Sequence, residues 1–398
     1  MSNVLNSNNI GKKFLLSLET RGIKLGLKRT VELFNVCNHP EDNLKSIQVI
    51  GTNGKGSTAA TLSSILMASG LKVGLYTSPH LVDLSERIKI NNQVIDNQFI
   101  DHFIDLYRHD IEKLESTFFE VLTVMAASYF NEKNVDIAVF ETGLGGRYDS
   151  VTACKAQTQL FTKISIDHAH ILGNTIEEIA LDKSCAIHKN STCFSIKQTN
   201  MVKNILIQKA IDMSASLTFT QNQNNKVYKS NLLGSHQTEN TKLAIAAAKH
   251  IIDIKEDTIE RGLNNVQWKG RMELLCSEPN VYFDVAHNDD SIIAFCDTID
   301  SLNHRGDKTL IISVQKSKLI EKSIKQLEKR FSKIIITQLN NRMYTSSDLA
   351  SMFLSQSKIE IIDDSNLAIK TGFKNSKKSD LLAIIGSHYW GDIVYKNF

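Results

Sequence analysis

The sequence has few of the features that mark secreted, membrane-bound or nucleic-acid-binding proteins. Its 398 residues include three prolines and six cysteines, and the cysteines form no CxxC pair or other metal-binding spacing. No apolar run approaches the ~20 residues of a membrane-spanning helix, and the segment MSNVLNSNNIGKKF has no apolar signal core. A formal charge of +3 is too small to favour nucleic acid or an acidic membrane as a partner. We therefore expect a cytoplasmic protein with free thiols.

What the sequence does contain is a regular alternation of apolar strands and helices. This alternation is typical of an α/β protein with a mostly parallel sheet covered on both faces. The length predicts two domains, 1–270 and 271–398. The polar segment 221–231 is predicted as a surface loop or short hairpin. Helices are predicted at 58–70, 115–134, 175–187 and 236–252, and strands at 46–50, 71–76, 135–140, 157–166, 281–288, 309–314, 333–337 and 381–386.

The stretch VIGTNGKGST (49–58) places a glycine-rich turn between a strand and a helix. Glycines let phosphate oxygens approach the backbone, and the first amides of a helix attract anions. Lys55 adds a positive charge, and Ser57 adds a hydroxyl for phosphate or Mg²⁺. The alternative is a plain turn, but strand, loop, lysine and helix together favour a polyphosphate site. The three glycines are Gly51, Gly54 and Gly56.

Polar side chains follow three further strands, where ligands of open α/β sheets bind. TSPHL (77–81) alone is more typical of a turn than of a ligand site. Glu141 follows an apolar strand and is a candidate ligand of a divalent cation, with a salt bridge to Arg147 as the alternative. In IDHAHILG, His168 is either a metal ligand or a structural histidine, and Asp167 is an acceptor that could orient it.

Seven motifs occur in one order along the chain and resemble the folylpolyglutamate synthase and dihydrofolate synthase family, relatives of the Mur peptide ligases. The resemblance covers nearly the whole chain. It implies a P-loop Mur-ligase-like central domain and a smaller Rossmann-like α/β C-terminal domain. It also implies an ATP-dependent ligase that adds L-glutamate to dihydropteroate or folate through an acyl phosphate, and we expect the protein to be a monomer. The motifs are IKLGLKR, VIGTNGKGST, YTSPHL with SERI, FETGLGGRYD, IDHAHILG, GRMEL and FDVAHN.

The resemblance also implies roles for individual residues. Lys183 stands where the family carries a lysine carbamylated by CO₂. The residues three and four positions from it are apolar, which favours a buried side chain over an exposed lysine paired along its own helix. The resemblance implies catalytic roles for Lys55, Lys183, His168 and His287, Mg²⁺ binding by Ser78, Glu141 and His168, and ATP contacts from Gly51, Thr52, Asn53, Gly54, Lys55, Gly56, Ser57, Thr58, Asn240, Arg271 and Asp284.

The chain departs from the family's pattern at several positions. The family's Thr-Asn pair is absent from 150–153, Cys185 replaces a glycine, and Asp289 stands in place of a proline. Two alternatives therefore stay open. A Mur-type peptide ligase is disfavoured by the glycine after Lys55 and by the lack of an evident extra N-terminal domain. A nucleotide-binding homologue without ligase activity is supported by the departures alone.

Overall fold

The computed structural model describes residues 10–220 and 228–398. Residues 221–227 of the predicted loop therefore lie outside the described residues. The limits 1–270 and 271–398 stay a prediction of the domain organisation. By its internal contacts the chain divides into two compact units, Met1–Lys229 with Glu239–Val266, and Ser230–Thr238 with Gln267–Phe398.

The first unit is built on an eight-stranded sheet. Its strands are β1 (Ser46–Ile50), β2 (Val73–Tyr76), β3 (Ile88–Ile90), β4 (Gln93–Val94), β5 (Ile137–Glu141), β6 (Thr158–Phe161), β7 (Thr192–Ser195) and β8 (Ser216–Phe219). They lie in the order β4-β3-β2-β5-β1-β6-β7-β8. The pairs from β2 to β8 are parallel, whereas β3 and β4 are antiparallel to their neighbours. The predicted mostly parallel sheet is confirmed.

The helices of the first unit begin and end at identifiable signals. Thr117 with Glu120 and Thr175 with Glu178 form capping boxes at two helix N-termini. Gly70 adopts φ 94° just beyond the end of another helix, a backbone conformation that favours glycine. The helices are α1 (Ile10–Ser17), α2 (Lys28–Val36), α3 (Lys55–Ala68), α4 (Asn97–Lys113), α5 (Phe118–Glu132), α6 (Ala169–Leu172), α7 (Ile176–Ser184), α8 (Asn200–Asp212), α9 (Ser235–Ile251) and α10 (Glu256–Asn264). The first residues of α9, up to Thr238, belong to the second unit.

Helix α3 lies at the centre of the first unit. Every residue from Gly56 to Leu66 is buried, and so is every residue of β1 and β5. Helix α10 approaches α3 so closely that a Cβ added at Gly262 would lie 2.6 Å from the Cα of Ile65. The hydroxyl of Ser64 donates to the carbonyl of Gly262 at 2.7 Å. The glycine therefore sets the distance between the two helices.

The second unit has a six-stranded sheet. Its strands are β9 (Glu273–Ser277), β10 (Asn280–Phe283), β11 (Lys308–Ile312), β12 (Lys333–Ile336), β13 (Ile359–Ile361) and β14 (Leu381–Ile385), and its remaining helices are α11 (Asp289–Ser301), α12 (Glu321–Arg330), α13 (Ser346–Ser351), α14 (Ser365–Asn375) and α15 (Gly391–Asn397). The order is β13-β12-β11-β14-β10-β9, and only β9 is antiparallel to its neighbour. Across the residues of both units that are described, no helix is long and apolar enough to span a membrane.

The predicted strand 157–166 is wrong beyond Phe161. The backbone amides of Thr52 and Asn53 donate to the carbonyl of Lys163, at 2.8 and 3.2 Å. The chain after β6 therefore bonds to the glycine-rich loop instead of extending the sheet. Helix α3 likewise begins at Lys55, three residues before the predicted start.

Replacing Gly262 with alanine tests the close approach of α10 to α3. Because the added methyl group meets the backbone of α3, we expect Gly262→Ala to lower the free energy of unfolding by about 1–3 kcal/mol. Chemical denaturation measures this change. Asn264→Ala, on the exposed face of the same helix, is the matched control and is expected to change stability by less than about 0.5 kcal/mol. Equal stability of the two variants would contradict the packing argument.

Candidate functional site

Two glycines of the glycine-rich loop occupy positions where no other residue fits. Gly51 follows β1 with φ 156°, and a Cβ there would lie 1.9 Å from the hydroxyl oxygen of Thr162. Gly54 precedes α3 with φ 90°, and a Cβ there would lie 2.5 Å from Oδ1 of Asn240. The loop is therefore packed between the segment after β6 and α9, and Asn240 lies against it; a nucleotide contact from Asn240 stays a prediction.

Side-chain hydrogen bonds also fix the loop to the segment after β6. The hydroxyl of Thr52 donates to the carbonyl of Ser165 at 2.9 Å, and the amide of Ser165 donates back to that hydroxyl at 3.0 Å. The amide group of Asn53 donates to the Ser165 hydroxyl at 3.4 Å. With the backbone bonds to Lys163, these contacts anchor the loop to the segment after β6.

The N-terminus of α3 carries the predicted phosphate-binding residues. Lys55 is the first helical residue, and its ammonium donates to the carbonyls of Gly51 and Thr52, at 3.2 and 3.0 Å. Ser57 and Thr58 lie buried in the first turn. A helix leaves its first N–H groups without intrahelical acceptors, and its dipole attracts negative charge there. The glycine loop, Lys55 and this terminus together can hold an anion.

Lys183 approaches the same loop from α7. Its side chain is only 4% exposed, and its Nζ donates to the carbonyl of Gly51 at 2.9 Å and to that of Gly145 at 3.5 Å. Burial, together with the nearby positive charge of Lys55, lowers the pKa of Lys183 to about 7. Near neutral pH the amine therefore has a large uncharged fraction. The predicted buried orientation is confirmed.

The glycine-rich segment after β5 brings α7 close to the loop. A Cβ at Gly146 would lie 2.7 Å from the Cα of Lys183, so only glycine permits this approach. Asp149, a few residues on, accepts hydrogen bonds from the amides of Leu144 and Val151 at 2.8 and 3.0 Å. Burial raises the pKa of Asp149 to about 6. Asp149 belongs to none of the sites predicted from the sequence, although an aspartate ahead of Ser150 is a typical helix N-cap signal.

Two of the predicted metal ligands are brought together by neighbouring strands. Glu141 ends β5 and is 4% exposed, and Ser78 follows β2. The backbone amide of Ser78 donates to Oε2 of Glu141 at 3.1 Å. Arg147, the alternative partner of Glu141, donates from Nε to the sulfur of Cys185 at 3.3 Å. The carboxylate and the serine thus share one edge of the sheet.

The third predicted ligand, His168, lies in the loop between β6 and α6. It precedes α6 with φ 51°, and its backbone amide donates to Oδ1 of Asp167 at 2.8 Å. The negative charge of Asp167 is among those that act on Lys183. The ring of His170 lies 6.3 Å from that of His168. The Asp167 carboxylate thus fixes the backbone at His168 through a hydrogen bond, and its negative charge acts on Lys183.

The remaining predicted residues belong to the second unit. Asp284 accepts hydrogen bonds from the amides of Met272 and Ala286, at 2.8 and 2.7 Å. Burial raises the pKa of Asp284, and the charge of Arg271 opposes this rise. The Nδ1 of His287 donates to the carbonyl of Val285 at 2.8 Å, so in the neutral ring Nε2 carries the lone pair.

One histidine near Asp284 was missed in the sequence analysis. His236 lies in the first turn of α9, and burial lowers its pKa while the charge of Asp284 opposes this effect. A Cβ at Gly234 would lie 2.5 Å from the His236 ring. His236 begins the predicted helix 236–252, but no spacing rule connects it to Asp284, because the two are neighbours only in the folded unit.

The sequence and fold of this chain were compared with protein families, known proteins and solved structures. A family model described as Mur ligase, glutamate ligase domain, matches residues 270–388. The dihydrofolate synthase/folylpolyglutamate synthase of Bacillus subtilis is 30% identical over 412 residues, covering 93% of this chain and 94% of that protein. The structure of Escherichia coli FolC with ADP has a TM-score of 0.87 at 25% identity, covering 97% of this chain and 96% of that one. The folylpolyglutamate synthase of Mycobacterium tuberculosis, at 24% identity, has the same fold with a TM-score of 0.87 and covers 97% and 98%.

The lowered pKa of Lys183 predicts a specific dependence of stability on pH. In the unfolded chain the lysine keeps its ordinary pKa of 10.5, so between about pH 7 and 10.5 unfolding takes up a proton. Stability of the native protein relative to Lys183→Met should therefore rise with pH in this range, by up to about 1.4 kcal/mol per pH unit. Denaturation from pH 7.5 to 9.5 measures the difference. The exposed Lys189→Met is the control and should show no such trend.

Proposed function

The chain belongs to the folylpolyglutamate synthase/dihydrofolate synthase family, and we propose that it joins L-glutamate to dihydropteroate or to a folate at the expense of ATP. The observation that carries this proposal is the anion site at the start of α3, where Lys55 and Lys183 meet at the carbonyl of Gly51. The family relationship supports the reaction, and this geometry supports phosphate binding at the start of α3. The relative from Escherichia coli was solved with ADP, which supports a nucleotide as the ligand. A monomeric state and a cytoplasmic location stay predictions.

The proposed reaction has two steps. A carboxylate oxygen of the acceptor attacks the γ-phosphorus of ATP, the bond from that phosphorus to the ADP oxygen breaks, and an acyl phosphate forms. The amino nitrogen of glutamate then attacks the acyl carbon and loses a proton, and inorganic phosphate leaves. Both steps depend on positioning and charge neutralisation more than on covalent chemistry by the protein.

In this proposal the phosphates are bound by residues 51–58, which comprise the glycine-rich loop and the first turn of α3. The backbone amides and the hydroxyls of the first turn of α3 bind oxygens, and Lys55 exchanges its hydrogen bonds to loop carbonyls for a bond to the outer phosphates. The Lys55 side chain is already next to the loop, so this exchange needs only a side-chain rotation.

We assign Mg²⁺ to Ser78, Glu141 and His168. The contact between the Ser78 amide and the Glu141 carboxylate supports this set, since a carboxylate and a hydroxyl at one sheet edge suit a hard cation. When bound, Mg²⁺ would neutralise negative charge on the phosphates. An imidazole is a less usual Mg²⁺ ligand, so the oxygen donors carry most of the fit.

In the proposal, Asn240, Arg271 and Asp284 contribute to nucleotide binding, and His287 has a catalytic role, as the family resemblance implies. Asn240 lies against Gly54 of the phosphate loop. Two backbone amides orient the Asp284 carboxylate, which suits it to accept hydrogen bonds from ligand hydroxyls. The tautomer of His287 presents Nε2 as an acceptor, which suits it to receive a proton.

We further propose that Lys183 is carbamylated. The amine nitrogen attacks CO₂ and loses a proton, so the side chain changes from a cation to an anion. Only the neutral amine reacts, and the pKa of about 7 makes that form available near neutral pH. The negative group would then lie beside Lys55 and a divalent cation, which stabilise it in a buried position.

A direct assay tests the function. With ATP, Mg²⁺, L-glutamate and either dihydropteroate or a reduced folate, we expect release of ADP and phosphate that depends on both glutamate and the acceptor. Lys55→Ala should lower turnover at least ~10²-fold, because it removes a preorganised charge from the transferred phosphoryl group. Lys45→Ala, an exposed lysine just before β1, is the control and should retain full turnover. Acceptor-independent phosphate release would contradict the proposal, as would equal turnover of the two variants.

A second measurement tests the carbamate. Bicarbonate should raise the activity of protein stripped of CO₂, and ¹³C-bicarbonate should give a carbamate carbon resonance that Lys183→Ala removes. The exposed Lys189→Ala should keep both effects. An unmodified amine at Lys183, with activity insensitive to bicarbonate, would exclude the carbamate.

A further inference from the structure

A separate group of metal-binding side chains lies in the first unit, in the turn that joins α2 to β1. One ring nitrogen of His39 and one carboxylate oxygen from each of Glu41 and Asp42 lie within 4.8 Å of one another. The three residues come from four consecutive positions at the start of a short 3₁₀ helix, Pro40–Asn43. None of them is among the residues proposed to bind ATP or Mg²⁺.

The carboxylate of Glu41 is buried with one oxygen unsatisfied. The residue is 7% exposed, and its flanking residues Cys37 and Leu44 belong to the hydrophobic core. Its Oε1 lies 3.0 Å from Nδ1 of His39, whereas Oε2 has no hydrogen-bond partner within residues 10–220 and 228–398. A buried carboxylate oxygen without a donor is costly, and native proteins rarely leave one. The position therefore calls for a positively charged ligand.

The charges around the turn indicate what kind of ligand it is. Among the described residues, the ion-pair partner of Glu41 is the His39 ring and not a lysine or arginine. Glu41 and the adjacent Asp42 together bring two negative charges to the cluster. A divalent cation bound by both oxygens of the Glu41 carboxylate neutralises both charges and gives Oε2 the partner it lacks.

We propose that His39, Glu41 and Asp42 form a zinc site. An imidazole with two carboxylates suits zinc, whereas Mg²⁺ and Ca²⁺ prefer oxygen ligands alone. Two donor atoms about 2.1 Å from a common ion lie roughly 3.0–3.5 Å apart, which matches the distance of 3.0 Å between His39 Nδ1 and Glu41 Oε1. Nδ1 coordinates zinc after the ring proton moves to Nε2 or to solvent. Water completes the coordination.

The position of the site suggests a structural role. Asp42 is exposed and Glu41 is buried, so the ion enters from solvent and is held at the edge of the core. Because β1 follows this turn and runs directly into the glycine-rich loop, the ion would fix the segment from which that loop starts.

Zinc titration of the full-length protein tests the proposal. After chelator treatment, ZnCl₂ is titrated in competition with a chromogenic chelator, with Mg²⁺ in excess. We expect one zinc ion per chain at this site, which His39→Asn and Glu41→Gln abolish and Asp42→Asn weakens at least ~10-fold. His168→Asn and Cys185→Ser are controls outside the cluster and should keep this zinc ion. Substitution with Co²⁺ should give a visible absorption spectrum that His39→Asn removes.

Two outcomes would overturn the proposal. The first is a zinc affinity that is the same in the native protein and in all three cluster variants. The second is a loss of zinc binding in Glu41→Gln alone. Glu41 is buried, so its replacement acts on folding as well as on the site. Asp42→Asn alters an exposed side chain, and circular dichroism of all variants identifies any that fail to fold. The ligase assay is a separate measurement, so failure of either proposal leaves the other standing.

Discussion

Two lysine side chains donate to the same carbonyl oxygen, that of Gly51, and the arrangement of the first unit depends on this convergence. Lys55 reaches it from α3 and Lys183 from α7. Two ammonium groups this close would repel each other in a buried site. The structure avoids this repulsion because burial and the charge of Lys55 favour the neutral form of Lys183. The pair therefore provides the positive charge of Lys55 and, at Lys183, an amine whose charge can change.

Several glycines make this convergence possible, each for a different geometric reason. Gly51 avoids the side chain of Thr162, Gly54 avoids that of Asn240, and Gly146 admits the backbone of α7. A side chain at any of these positions would push apart elements that supply functional groups. The glycine content of the motifs thus reflects packing between elements as well as access for phosphate.

Part of this site could be predicted from the sequence because its signals are local. The glycine-rich loop, the capping box of Thr175 and the terminal Gly70 each depend on residues a few positions apart. The apolar neighbours of Lys183 likewise predicted its burial. The end of β6 could not be predicted, because an apolar pattern continues past Phe161 while the backbone turns to bond the loop. The elevated pKa of Asp149 and the position of His236 beside Asp284 also depend on burial that only the folded chain creates.

The anchoring of the loop to the segment after β6 constrains the order in which the protein can assemble. Thr52 and its partner Ser165 are separated by 113 residues. Contacts between such distant residues form slowly, since the two ends of the intervening chain must first be brought together. During synthesis, the loop leaves the ribosome well before its anchor does. The nascent chain therefore lacks a fixed anion site until β6 has paired with β1, and a fragment that ends before Lys163 could contain every residue of the glycine motif without its native shape.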